Sequence, residues 1–395
     1  MTSQQVQEGA VPLLEGLIGV GIAIAAIGVG LEVQYQRREG NKLEVTNGQW
    51  QTDRSPGRLQ LTGRIELINR TRKLEIMVPE LVAKAKLLSK QSLEGIRWQT
   101  RVVPEHEDAA ARANDYWFAY IVKKRTTIRV ELDIEGPEDA IAALESAWLQ
   151  LRYVTYGPQG RIPRRKHIVL ALKELELDTA PTWRSLSQTD RLPIKTHLLT
   201  PQDDPVEVVK RYVLPYSQPG DLLAIGETPL AIMQERFRHP RDIKPGWVAR
   251  HVCYYFQPTS SLATAVGLQT LVDAVGPWRV FGAFLGGVLL RLVGKRGGFY
   301  ILAGEQARLI DDVTGSLPPY DQFVVLGPQD PQAVVDRIER ETGLKTAIVD
   351  VNDLKAVKIL AASAGLPTAV LESALRDNPA GNADEQTPIV LVRPR

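Results

Sequence analysis

The apolar positions change period along the 395-residue chain, and each change marks a boundary. Residues 16–31 read GLIGVGIAIAAIGVGL, without a charge, and residues 11–14 extend the run past Glu15. At roughly 1.5 Å per residue, about twenty residues cross the ~30 Å hydrocarbon core of a bilayer. The pattern predicts a transmembrane helix over 11–33, with Glu15 near the headgroups or facing a partner helix. No Lys or Arg precedes the run, whereas Arg37, Arg38 and Lys42 follow it. A signal peptide would begin with a basic stretch. The charge asymmetry instead puts the N-terminus outside and the bulk of the chain in the cytoplasm, as a single-pass membrane protein. Small residues four apart, such as Gly19 and Ala23, permit close helix packing. A buried core helix is the competing reading.

From residue 43 the pattern has period two. Leu59, Leu61, Ile65 and Leu67 alternate with Gln60, Thr62, Arg64 and Glu66, and Ile128, Val130, Leu132 and Ile134 alternate with Arg129, Glu131, Asp133 and Glu135. Ile168, Leu170 and Leu172 close the region. Half-buried antiparallel strands read this way, so an all-β, sandwich-like domain is expected over 43–180. A short helix at about 138–148 interrupts it. Arg161, Arg164, Arg165, Lys166 and His167, beside Gly157, Pro158, Gly160 and Pro163, read as a basic hairpin tip, solvated or resting on anionic lipid. His106 stands in the run EHEDAAARAND, which reads as a polar loop. Residues 178–192, DTAPTWRSLSQTDRL, lack periodicity and read as a linker.

Residues 193–395 mix the two periods and predict an α/β (α+β) domain. Asp204 caps a helix with Pro205 in its first turn. Strands are expected at 221–226, 322–326, 345–349 and 387–392, and a helix runs from Pro331 to a stop at Gly343. Residues 280–293, VFGAFLGGVLLRLV, are too short for a second span and read as a buried or membrane-grazing helix. Lys295 and Arg296, set among glycines in GKRGG, form a candidate phosphate contact, although the GxxxxGK[ST] spacing of a P-loop is absent.

Composition adds exclusions. A formal charge of +2 gives no ground for a nucleic-acid partner, and a single cysteine, Cys253, forbids an internal disulfide framework. Carboxylates recur at strand ends: Asp311 and Asp312, Asp350 and Asp353, Asp384 and Glu385. Hard divalent cations such as Mg²⁺ and Mn²⁺ prefer oxygen ligands of this kind.

From about residue 193 to the C-terminus these motifs resemble the gamma-glutamyl ligases that extend coenzyme F-420-0. GNADEQTPIVLVR is similar to the family's last strand, and PIKTHLLTPQDDPVEVV to its opening. ARLIDD sits where the family has an aspartate after Gly-Val, and IVDVNDL where it has Ser-Asp-Thr. The resemblance implies a GTP- or ATP-dependent ligase. Such an enzyme phosphorylates a substrate carboxylate and lets the amine of L-glutamate displace the phosphate. It implies Asp311, Asp350 and Glu385 as ligands of Mn²⁺ or Mg²⁺, phosphate contacts at Lys295 and Arg296, and a homodimer as a further partner beside the lipid bilayer. The chain departs from the family where a lysine-rich loop follows the first strand: here it reads GETPLAIMQER. Three readings stay open: a membrane-tethered amide ligase, a non-catalytic binding or assembly module that keeps the fold, and another metal-dependent phosphoryl-transfer enzyme.

Overall fold

The computed structural model describes residues 23–31, 42–71, 74–110, 112, 114, 116–157, 160–186, 188–311, 317–351, 357–381 and 385–395. Most of the expected span over 11–33 lies outside them, as do Asp312, Asp353 and Asp384. Residues 23–31 form a helix, α1, whose side chains are exposed throughout. Among the described residues no single helix is long and apolar enough to cross a membrane.

The middle domain runs β1 (Leu43–Val45), β2 (Gln49–Ser55), β3 (Arg58–Asn69), β4 (Ile76–Val78), β5 (Glu80–Ser89), β6 (Arg97–Glu105), β7 (Tyr120–Val122), β8 (Arg125–Glu135), α2 (Glu138–Ala142), β9 (Leu144–Gly157) and β10 (Gly160–Ala171). β1 and β2 share one edge of β3, whose other edge pairs with β8 and then β6; the second sheet has the order β10-β9-β5. β3 and β8 are antiparallel, with Leu61 opposite Leu132 and Ile65 opposite Ile128. The alternating apolar residues of both strands therefore point to one face. They pack on Leu81, Leu149, Leu151 and Ile168 of the other sheet in a single core. Full burial of each such side chain is worth about 1.5–3 kcal/mol, and this is what joins the two sheets. Gly63 interrupts the alternation because the Trp50 ring lies where its Cβ would be.

The C-terminal domain runs β11 (Arg184–Leu186), β12 (Thr189–Ile194), α3 (Pro205–Tyr212), β13 (Leu222–Gly226), α4 (Glu227–Met233), β14 (Phe237–Arg238), α5 (Trp247–Val252), α6 (Ala265–Val275), α7 (Pro277–Leu292), α8 (Gly298–Ala303), α9 (Gln306–Leu309), β15 (Val324–Val325), α10 (Pro331–Thr342), β16 (Lys345–Val351), β17 (Val357–Ala362), α11 (Thr368–Leu375) and β18 (Ile389–Pro394). Six strands form a mixed sheet of order β11-β12-β18-β13-β16-β17, in which β13 and β16 are parallel and the other pairs antiparallel. Leu223, Ile225 and Ile348 face α3 and α10, while Leu222, Ala224 and Val349 face α11. Asp204 caps α3 through the amides of Val206 and Glu207, and Asp330 and Gly343 bound α10.

Five local expectations are corrected. Residues 178–192 are not all linker: β11 and β12 lie there, and β12 pairs with β18 inside the sheet. Its buried Arg191 concealed the strand, because the guanidinium is taken up by the Ala374 carbonyl and Asp377. The helix expected to reach residue 148 stops at Ala142, and Trp148 lies in β9. The strand expected at 322–326 shrinks to β15, which pairs with β14. The basic residues 161–167 lie along β10, where Arg165, Lys166 and His167 are held by Asp242, Glu235 and Asp242 of the C-terminal domain. His106 is buried, not in a loop exposed to water: its ring stacks on Tyr120 and Nδ1 meets Thr126 Oγ1 at 2.6 Å. Cys253 is buried and unpaired, as a small hydrophobe would be.

The two domains share a core. Trp148 and Val169, on the outer face of the β10-β9-β5 sheet, pack with Leu198, Ile232, Phe237, Tyr320 and Phe323. That second covered face explains why β9 is buried without a break from Ser146 to Leu149, whereas burial alternates from Gln150 to Tyr156.

Candidate functional site

A cleft of about 580 Å³ opens at the carboxyl ends of β13 and β16, beside the residues that lead into β18. This is the end of an α/β sheet at which ligands characteristically bind. Glu227, Asp311 and Asp350 all line it. Glu227 follows β13 directly as the first residue of α4, and Asp350 is near the end of β16. Asp311 is fixed by backbone bonds to Val325, its N–H donating to the Val325 carbonyl at 2.9 Å and its own carbonyl accepting at 3.1 Å. Three different segments thus aim carboxylates into one space.

Their electrostatics are unusual. Burial, then the nearby charges of Asp350 and Asp311, push Glu227 up to about 9, so its carboxyl is neutral at pH 7. Burial also raises Asp311 and Asp350. Thr228 Oγ1 donates to Asp311 at 3.2 Å and partly offsets that rise. Lys358, the register partner of Asp350, pulls Asp350 and Glu227 back down, but its ammonium is engaged by Glu305 at 3.1 Å. Glu227 Oε2 is buried without a hydrogen-bond partner. Hard divalent cations prefer carboxylate oxygens such as this orphaned one, although the ligand atoms of Glu227, Asp311 and Asp350 do not all lie within 4.8 Å of one another. Arg308 is the sole Lys or Arg among the described cleft-lining residues.

The remaining expected site residues are elsewhere. Glu385 is exposed and does not line the cleft. Its carboxylate lies over the backbone of Gly381, a cleft residue at φ +72 where any Cβ would collide with it. Lys295 and Arg296 are exposed in the turn after α7 and are not part of the cleft wall. Sequence reasoning missed Glu227. It carries the signal used for the other acids, a carboxylate placed immediately after a buried strand.

A second cluster sits at the domain joint. Among the described residues, His167, His239 and Asp242 form the one group of three whose potential ligand atoms lie within 4.8 Å of one another. These atoms are already engaged. His167 Nε2 meets Asp242 at 2.9 Å, Nδ1 accepts from Trp148 Nε1 at 3.1 Å, and Arg165 reaches Asp242 at 2.7 Å. The two imidazoles stack at 4.9 Å and 8°, so no ion can lie in both ring planes. The cluster is a joint, not a metal centre.

Residues 44–174 match the family described as F420-0:gamma-glutamyl ligase, N-terminal Ig-like domain. The middle domain is similar to the Ig-like domain of that family. The match falls on the middle domain, outside residues 193–395 where the sequence motifs carried the resemblance. No curated protein matches the chain. Among solved structures, the GAE domain of yeast GGA1 aligns at 12% identity and TM-score 0.20, covering 34% of this chain and 96% of its own. AvmM, which catalyses macrocyclization in alchivemycin A biosynthesis, aligns at 10% and 0.21, covering 34% and 93%. Scores this low carry no argument.

Proposed function

We propose that the ligase-like C-terminal domain binds Mn²⁺ or Mg²⁺ through Glu227, Asp311 and Asp350 and uses a nucleoside triphosphate, GTP or ATP, to join a small-molecule carboxylate to an amine such as L-glutamate. The observation that carries this reading is that one buried carboxylate with an orphaned oxygen, Glu227, and two half-buried ones, Asp311 and Asp350, line the same open cleft. Glu227 replaces Glu385 in the expected ligand set. When bound, the cation would neutralise phosphate charge during transfer. The protein's own part is to hold the acceptor carboxylate in line, with Arg308 as the cation available at the cleft wall, and to keep water from the acyl phosphate until the amine displaces phosphate. The N-terminal apolar run tethers the protein to a membrane in this reading, and release of intact chain by carbonate extraction would remove that part of it.

The presence of only one Lys or Arg among the described cleft-lining residues favours a second reading, a binding module that retains the fold without turnover. Thermal shift of the full chain in detergent separates the two. Mn²⁺ alone should raise Tm, because a ligand at 100 times its Kd adds about 2.7 kcal/mol. GTP or ATP should raise it further, and Asp350→Asn should abolish both shifts. A metal shift without any nucleotide shift selects the binding module; no metal shift ends the proposal.

A further inference from the structure

The helical excursion between β14 and β15 presents a face that the cleft does not use. On α7, Val280 and Ala283 are buried, and Gly287 lies so close to the backbone of Phe299 that a Cβ would meet its N at 2.9 Å. The opposite side of the same helix carries Trp278, Leu285, Leu289 and Leu292, spaced i, i+7, i+11 and i+14. All four are exposed, Trp278 by 84% and Leu292 by 79%. A surface helix of a soluble protein places polar residues on that side. Val293 and, on α8, Ile301 continue the exposed apolar surface. Trp247 packs on Phe281 at 5.9 Å and Tyr255 on Phe284 at 5.0 Å, so two more exposed aromatics flank the stripe.

Charge decides what covers this face. Between Asp273 and Glu305 the sequence has no acidic residue, yet it has Arg279, Arg291, Lys295 and Arg296, all exposed. A second copy meeting the face about a two-fold axis would bring these cations together. An anionic lipid surface complements them, accepts Trp and Tyr at headgroup level and buries the aliphatic stripe. The helix does not span. Its 16 residues reach ~24 Å against a ~30 Å core, and it meets α6 at a 113° bend. We infer that the α5–α8 face seats on an anionic membrane surface, with α7 lying in the interfacial plane and Lys295 and Arg296 on phosphate-bearing headgroups. This gives those two residues an anionic partner away from the cleft, and it stands whether or not the N-terminal run is a tether.

The test uses the full chain with Cys253→Ala and an environment-sensitive fluorophore at Leu289→Cys, or at Val82→Cys on the sandwich as an exposed control. Vesicles are phosphatidylcholine with or without phosphatidylserine, with brominated acyl chains as the quencher. The expected result is blue-shifted, quenchable emission at position 289 and neither effect at 82. Phosphatidylserine should strengthen it, and Lys295→Glu and Arg296→Glu should weaken partitioning by about fivefold or more per site. Emission at 289 as water-like as at 82 would overturn the inference. So would a blue shift in lipid-free protein that grows with protein concentration, which would assign the face to a second copy.

Discussion

The cleft and the domain joint each gather titratable side chains, yet they are opposites. At the joint, His167, His239 and Asp242 are close enough to suggest an ion, but Trp148 bonds His167, Arg165 bonds Asp242, the Arg241 amide donates to His239, and the rings are stacked. In the cleft, Glu227, Asp311 and Asp350 are less tightly grouped, but burial has pushed all three up and one oxygen has no partner. Proximity alone would select the joint, whereas unspent bonding capacity selects the cleft. What distinguishes a site awaiting a ligand is unspent bonding capacity in a space that a ligand can enter.

That contrast can be broken at several points. The largest effect should come from Trp148→Ala. Trp148 is buried against Phe323 and His239, and truncating a buried Trp costs about 3–5 kcal/mol. Urea unfolding should show the loss, and calorimetry should resolve the two domains into separate transitions. A single transition of unchanged midpoint would mean that the joint does not couple them. Next, Asp350→Asn or Glu227→Gln should weaken Mn²⁺ about 100-fold, about 2.8 kcal/mol, by titration calorimetry. His239→Ala should leave the affinity within about twofold. The reverse pattern would move the metal to the joint.

The pH dependence should have opposite signs at the two clusters. His239 is lowered from 6.5 to about 4, first by burial and then by His167. The unfolded chain therefore binds its proton more readily, and this contribution to stability, full above pH 6.5, is lost as pH falls toward 4. Glu227 is raised from 4.5 to about 9, so in metal-free protein its contribution is full below pH 4.5 and is lost as pH rises toward 9. Urea midpoints measured across that range should lose the alkaline slope in Glu227→Gln and keep the acid one. Mn²⁺ should suppress the alkaline slope in the wild type. The smallest effect is expected at Arg165→Ala. Its pair with Asp242 is partly open to solvent and should be worth about 1 kcal/mol or less.

The sequence disclosed what local periodicity encodes. β3 and β8 each have one covered face, so polar and apolar residues alternate cleanly. β13 and β18 are buried runs between turn residues, and Asp204 and Gly343 punctuate helices. Where a strand gains a second partner from far along the chain, the pattern fails. β10 looks like a basic turn until Asp242 and Glu235, some 70 residues later, take up its charges. β12 looks like linker because its interior position holds an arginine. In the cleft, Asp350 was legible from its place at a strand end, whereas Asp311, expected after a strand, follows the short helix α9. Glu227 was not legible, because the family resemblance cast it as a missing cation, whereas the fold makes it the most perturbed of the three acids. Glu385 follows the motif but is exposed and does not line the cleft.

Ile232 and Tyr320 belong at once to the core shared with the β-sandwich and to the wall of the cleft. The two domains are therefore poor candidates for shuffling. A recombination event that kept the C-terminal domain and exchanged the sandwich would deliver a new surface to the back of that wall. Substitutions at Trp148 or Val169 should consequently be inherited together with changes at Ile232, Phe237 or Phe323. The lineage would carry the pair as one heritable unit.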